Sequence, residues 1–435
     1  MVGTMDEKSL YQLVDAILET LEGKLPSIEK KEDAIYEIEY VAKRIDPSIA
    51  QDDLKRVVEE VNNFSPINKY LYDQDVEDIM INNTKNIFLY TGNKGEFKTE
   101  EKINDRKDLD RFVGKLKMYA TGDFGDKNIF DVHLPNGSRV NIVQSPIGAN
   151  ITIRNYRENA LSIIDLINMG ELNYNLAGRL WLYAEGMGFR PANLLIGGVP
   201  AAGKTTLLNA MFSFFRPEER VIVIEDTYEL NTETQENCVR LETNPGLTMR
   251  ELVANALRMR PDRLIIGEVR REEAKDMMTS MNIGRISMST IHASNTRDIV
   301  TRLQHTPMNV EKDIIPLIDT LMVVTRSVEK GKIIRRISQV SEISGVETQV
   351  LLSDLYEYNY KTHESSDIFP SVTYRDLLSK LSGAPPTEIV AEEMRRARIL
   401  QKLNELGQRD LKSINEFCKS YYDNPEAAAD RIGVK

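Results

Sequence analysis

A chain of 435 residues with 41% hydrophobic and 28% charged content has room for two or three domains with real cores, and it is neither disordered nor fibrous in composition. A net charge of −11 speaks against a protein that coats nucleic acid, because phosphate binding needs a clustered basic face. No apolar run nears the roughly 18 residues of a membrane span, and acidic Asp6 and Glu7 stand where a secretory signal would carry basic residues. The chain is therefore expected in the cytoplasm, touching a membrane only through partners, with Cys238 and Cys418 reduced and used for packing.

In chain order, residues 1–62 read as a helical segment. Leu10, Leu13, Val14, Ile17 and Leu21 recur at helical spacing, Gly23 closes the run, and Glu32–Ile45 and Gln51–Asn62 repeat the pattern. Ser65-Pro66 punctuates the chain. Residues 63–160 read as an α+β domain, with strands at Asp78–Ile81, Ile87–Tyr90, Arg139–Val143 and Ile151–Arg154 and a helix at Asp108–Tyr119. Residues 161–345 open with helices at Ile163–Met169 and Asn175–Gly186. They go on to apolar strands at Leu194–Gly197, Val221–Ile224, Leu264–Ile266 and Ile286–Ile291, separated by helical stretches. Short strands apolar on both faces imply a doubly wound, mainly parallel α/β sheet. Residues 346–435 read as a mixed, chiefly helical extension.

The segment Gly198-Val199-Pro200-Ala201-Ala202-Gly203-Lys204-Thr205 fits the phosphate-loop pattern, with a strand before it and a helix after. The glycines let backbone N–H groups turn inward around phosphate oxygens, and the following helix, entered through Thr205 and Thr206, points its positive end at the same anion. Lys204 is the residue type that reaches the β- and γ-phosphates, and the Thr205 hydroxyl suits Mg²⁺. ATP and Mg²⁺ are thus the expected cofactors.

Two further strands end in acids, Val221–Ile224 in Glu225-Asp226 and Leu264–Gly267 in Glu268, with Glu229 three residues beyond Asp226. In a doubly wound sheet the carboxyl ends of the strands share one rim with the phosphate loop. Hydrolysis needs a fixed metal and an oriented water, so Glu268 is expected to polarise the water. Glu225, Asp226 and Glu229 are candidates for the metal shell and for water positioning.

Four ordered stretches carry a family resemblance: Gly203–Asn209, Ile224–Leu230, Leu257–Arg270 and Ser289–Ala293. Together with Leu134–Val140 and Ile151–Arg154, they resemble the secretion ATPases, the hexameric motors of type II and type IV secretion, type IV pili and the archaellum. The likeness covers roughly 65–330 and implies a RecA-like domain. In that family's terms the four stretches are the Walker A loop, the Asp box, the Walker B strand and the His box. The form looks archaeal: Asp226 is followed by Thr227, and Glu393–Leu400 with Tyr421–Pro425 looks like the tail of the archaellum motor. The resemblance gives His292 a role in sensing the γ-phosphate or in bridging subunits. The family's first histidine is replaced by Arg285 after Gly284, which either supplies the missing cation or is neutral drift.

By the same resemblance, Arg139 and Arg154 match arginines that reach nucleotide across the interface between protomers, which makes hydrolysis depend on a homo-hexamer. ATP is expected between the two domains of a protomer, with staggered closure driving a polytopic membrane platform protein of a filament or secretion system. No stable nucleic-acid binding is expected. Two rivals remain: a RecA-type nucleic-acid translocase, and a scaffold that binds ATP without turnover.

Overall fold

The computed structural model describes residues 5–434 except 26–30, 93, 121–127, 157–159, 245, 330–331, 363 and 369. The chain forms two compact units, Met1–Asn159 and Ala160–Lys435.

In the first unit, helices Glu7–Leu21, Lys31–Ile45 and Gln51–Asn62 precede six strands: β1 (Val76–Asn82), β2 (Asn86–Thr91), β3 (Gly95–Lys98), β4 (Ile129–His133), β5 (Arg139–Ser145) and β6 (Gly148–Arg154). They pair antiparallel in the order β3-β2-β1-β6-β5-β4. The period-two alternation sends Ile79, Ile81, Val140, Ile142, Ile151 and Ile153 to one face, where they share a core with Leu10, Val14, Ile17 and Val57. Helices Glu7–Leu21, Lys31–Ile45 and Gln51–Asn62 therefore share the core of this sheet and belong to one unit with the strands. A three-helix layer with one apolar stripe each and a sheet with one apolar face bury each other.

The second unit is built on a nine-stranded sheet. Its strands are β7 (Leu194–Gly198), β8 (Val221–Glu225), β9 (Cys238–Glu242), β10 (Arg263–Val269), β11 (Ile286–Ile291), β12 (Thr320–Glu329), β13 (Lys332–Val346), β14 (Val350–Asn359) and β15 (Glu364–Asp367). The order is β15-β14-β13-β12-β7-β11-β10-β8-β9. From β9 to β12 all neighbours are parallel, and β13–β15 extend the sheet antiparallel. Alternate residues of the parallel strands enter two separate cores. Leu194, Ile196, Val221, Val223 and Ile265 face one, and Leu195, Ile222, Ile224, Leu264 and Ile266 face the other. That is the doubly wound arrangement expected from strands apolar on both faces.

The C-terminal stretch is part of this unit. The boundary expected at 345 falls at the end of β13, and β14 pairs back onto it with Val346 opposite Val350. Helices Pro386–Glu405 and Leu411–Asp423 place Ile399, Leu403, Ile414 and Phe417 in the same core as Leu194 and Trp181. At Gly178, in helix Tyr174–Glu185, an added Cβ would sit 2.5 Å from the Glu393 carbonyl oxygen, so the two helices meet backbone to backbone. Trp181 stacks on Phe214 at 5.4 Å and its indole N–H donates to the Tyr422 hydroxyl at 2.7 Å. Among the described residues no helix is long and apolar enough to cross a membrane.

Candidate nucleotide site

Strands β7, β8, β10 and β11 run parallel, so their carboxyl ends open on one rim. Register sets Ile266 beside Ile224, Glu268 beside Thr290, and Thr290 beside Ile196. The phosphate loop leaves β7 on this rim. Ala201 (φ +58°) and Gly203 (φ +99°) take left-handed backbone, which turns the chain sharply before helix Lys204–Ala210. A side chain at Gly198 would come 2.6 Å from the Val324 carbonyl oxygen on β12, so the loop's first glycine is a close-approach position. Thr205 and Thr206 stand half-buried in the first turn of the helix.

Lys204 is 7% exposed and folded back over the loop. Its ammonium donates to the carbonyls of Gly198 at 3.2 Å and Val199 at 3.4 Å, and lies 3.4 Å from His292 Nδ1 and 3.9 Å from Glu268 Oε1. His292 Nε2 is 2.9 Å from the same Glu268 oxygen. Burial, and next the Lys204 charge, hold the imidazole below its ordinary pKa, so His292 is neutral at pH 7. The other Glu268 oxygen accepts from Arg270 Nε at 2.7 Å, and Arg270 Nη1 donates to Asp226 at 3.1 Å. Glu268 Oε1 is buried, yet no aligned hydrogen-bond donor serves it among the described residues. A buried carboxylate oxygen in want of a donor, beside the loop's lysine, fits an oriented water or a hydrated cation.

Glu268, Lys204 and His292 are thus brought together, with Asp226 linked through Arg270. Glu229 is exposed on the loop after β8. Glu225 differs from expectation. It is 2% exposed, its Oε1 accepts the backbone N–H groups of Glu229 at 2.9 Å and Leu230 at 3.0 Å, and its Oε2 lies 3.7 Å from Arg240. One oxygen of the carboxylate is a clamp on its own loop, and the other, Oε2, is buried with no hydrogen-bond donor among the described residues. Among the described residues no three acidic, histidine or cysteine groups cluster to hold a metal.

Arg285, the candidate replacement cation, stands apart from His292 in its own chain. It precedes β11 whereas His292 follows it, which separates the two by about 20 Å along a strand rising ~3.3 Å per residue. Within its own chain Arg285 does not join the Lys204 cluster. Arg139 and Arg154 lie directly opposite each other on β5 and β6, on one face of the first unit's sheet, and Arg139 is 4.0 Å from Asp131.

Other residues entered the site unannounced. Thr290 Oγ1 donates to the Gly267 carbonyl at 2.7 Å and fixes the end of β10 under Glu268. Arg335, on β13, donates from Nε to the Ala201 carbonyl at 3.1 Å. Thr290 lies within the Ser289–Ala293 stretch, but its bond to Gly267 has no local signal, and Arg335 lies outside every motif, since both act through strands that meet only in the folded sheet.

Burial raises the Glu225 carboxyl to about 7, against the pull of the two N–H donors and Arg240. The native group then holds a proton that the unfolded chain releases from pH 4.5 upward. Its contribution to stability is present below that range and is lost as pH rises to about 7. Glu225→Gln removes the titration. The melting temperature of the variant relative to wild type is expected to climb between about pH 5 and pH 8. An offset that stays constant across those melts would refute the assignment.

A phosphate loop at the end of a parallel strand, with a glutamate two strands away facing its lysine, defines a P-loop nucleotide-binding domain. The chain belongs to the Type II/IV secretion system protein family, which it matches over residues 60–360. It is 37% identical to uncharacterized protein MJ0781 of Methanocaldococcus jannaschii over 227 residues, taking in 49% of this chain and 31% of that protein. It is 29% identical to uncharacterized protein MJ0900 of the same organism over 389 residues, or 85% and 69% of the two chains. Protein VirB11 of Agrobacterium fabrum is 28% identical over 264 residues, 53% of this chain and 76% of that one. Among solved structures, the ATPase DotB of Legionella pneumophila aligns over 81% of this chain and 94% of its own at 16% identity, with a TM-score of 0.49.

Proposed function

We propose that this chain is an ATP-hydrolysing motor that works as a ring on a membrane platform protein and drives a pilus-like filament or a secretion system. One observation carries the hydrolytic part: the Glu268 carboxylate lies 3.9 Å from the Lys204 ammonium, with a buried oxygen that has no aligned donor. Lys204, now resting on the Gly198 and Val199 carbonyls, swings to the β- and γ-phosphates. The backbone N–H groups of residues 199–206 wrap the phosphate chain. Glu268 orients the attacking water and takes up its proton, while His292, uncharged, donates a hydrogen bond near the terminal phosphate. The Thr205 hydroxyl would hold a Mg²⁺, which would supply charge stabilisation for the phosphate oxygens. Arg270 bridges Glu268 and Asp226, and Glu225 fixes the loop that carries Glu229.

Family membership and the absence of a membrane-spanning helix among the described residues support a motor that sits at the inner face of the membrane through partners. Arg139 and Arg154, side by side on one sheet face, are proposed to complete the site of a neighbouring protomer. A guanidinium there is worth roughly 10³–10⁵ in turnover. The archaeal features of the Asp box and tail favour an archaeal filament, archaellum or pilus, as the load. The experiment is phosphate release with Mg-ATP, followed together with molar mass by light scattering. Turnover should rise with hexamer formation, and doping wild type with Arg139→Ala/Arg154→Ala chains should depress it. Full turnover by a monomer, or release that only single-stranded DNA elicits, would rule the ring motor out.

A further inference from the structure

We propose that Arg335 and Glu171 form a clamp that positions the phosphate loop from behind, so that the loop is pre-shaped for triphosphate by a strand outside the nucleotide motifs. The proposal rests on the ATP reading above and adds residues to it.

The crest of the loop is its most strained part. Ala201 carries a positive φ that a residue with a Cβ adopts at a cost of roughly 1–2 kcal/mol. Its carbonyl is met by the Nε–H of Arg335 at 3.1 Å. The Arg335 stem runs alongside: its Cδ lies 3.5 Å from where a Cβ on Gly203 would stand. The second wall is Glu171, 6% exposed, in the turn between helices Ile163–Asn168 and Tyr174–Glu185, with its Oε2 3.9 Å from that same point. Glu171 is tied to β13 by its own backbone, since its carbonyl accepts the N–H of Ile337 at 2.8 Å. Both groups therefore move with β13. Burial raises the Glu171 carboxyl to about 7, and the Arg335 charge is what opposes it.

The physical consequence is pre-organisation. A loop that must hold left-handed backbone at two positions loses less freedom on binding anion if its crest is already fixed. Such a clamp acts on nucleotide affinity more than on the chemical step, because neither side chain lies by Glu268. A lysine at 335 keeps a cationic donor within reach of the Ala201 carbonyl, whereas alanine leaves that carbonyl without it.

The test is phosphate release by the full chain across a range of Mg-ATP concentrations, for wild type, Arg335→Ala, Arg335→Lys, Glu171→Gln and the Arg335→Ala/Glu171→Gln pair. Arg335→Ala is expected to raise KM about tenfold with kcat changed by less than about threefold, and Arg335→Lys to return KM to within about threefold of wild type. Glu171→Gln should raise KM in the same direction, and the double variant should be no worse than Arg335→Ala alone, because the two act as one device. An unchanged KM in Arg335→Ala, a fall in kcat alone, additive effects, or a lowered KM in Glu171→Gln would each overturn the clamp. If wild type itself releases no phosphate, the ATPase reading is what fails. Equilibrium binding of a fluorescent ATP analogue then judges the clamp, with the same order of affinities expected and a flat series overturning it.

Discussion

Glu268→Gln is expected to lower phosphate release by about 10²–10⁴-fold while leaving ATP affinity within about threefold of wild type. The amide keeps the shape of the carboxylate and can still meet Arg270, so the end of β10 should stand. What it loses is the negative, proton-accepting oxygen that lies 3.9 Å from Lys204 and 2.9 Å from His292 Nε2. An interaction needed only as water attacks phosphorus shows in kcat and spares binding. Single-turnover hydrolysis at saturating Mg-ATP, with a fluorescent-nucleotide titration beside it, measures both. A variant that hydrolyses at the wild-type rate would remove Glu268 from the chemistry, and equal near-zero rates in both proteins would favour the non-catalytic scaffold.

Arg396→Ala should cost the second unit about 3–5 kcal/mol, or roughly 10 °C in melting temperature, although residue 396 lies outside every nucleotide motif. Its guanidinium is buried between the carboxylates of Glu185 at 2.8 Å and Glu392 at 2.7 Å, and lies 5.2 Å from the Trp181 ring centre. Burial by itself would lower the Arg396 pKa; the Glu185 and Glu392 charges override it and hold the group above its ordinary value. Removing the arginine strands Glu185, which is 1% exposed and keeps only Arg216 as a cationic partner among the described contacts. A thermal melt decides it. An unchanged melting temperature would mean that helix Pro386–Glu405 is an appendage, with no part in the fold.

How far the site was legible follows from the range of the interactions involved. The phosphate loop could be read as a motif, because its work is done by consecutive backbone N–H groups and by Gly203, whose positive φ is a local property, although Gly198 answers to the close approach of β12. Glu268 could be read from its place at the end of an apolar strand; in the sheet it pairs with Thr290, which in turn pairs with Ile196 of the strand before the loop. Glu225 occupies the same kind of position at the end of β8, yet its carboxylate turns back onto the N–H groups of Glu229 and Leu230. Two strand-end acids with one sequence signature diverge because a flexible side chain chooses between rotamers by what surrounds it, and no pattern within β8 encodes that choice.

The sequence by itself determined the two kinds of layer, the strands buried on both faces and the phosphate cradle, since each depends on residues within one turn or one strand of each other. Tertiary structure decided the rest. It joined helices Glu7–Leu21, Lys31–Ile45 and Gln51–Asn62 to the core of the first sheet and folded 346–435 into the second core. It also carried Arg335 across a separation of 134 residues to the crest of the loop. The reason is physical: burial and buried charge are settled by which surfaces meet, and amphipathic stripes of equal strength do not name their partners.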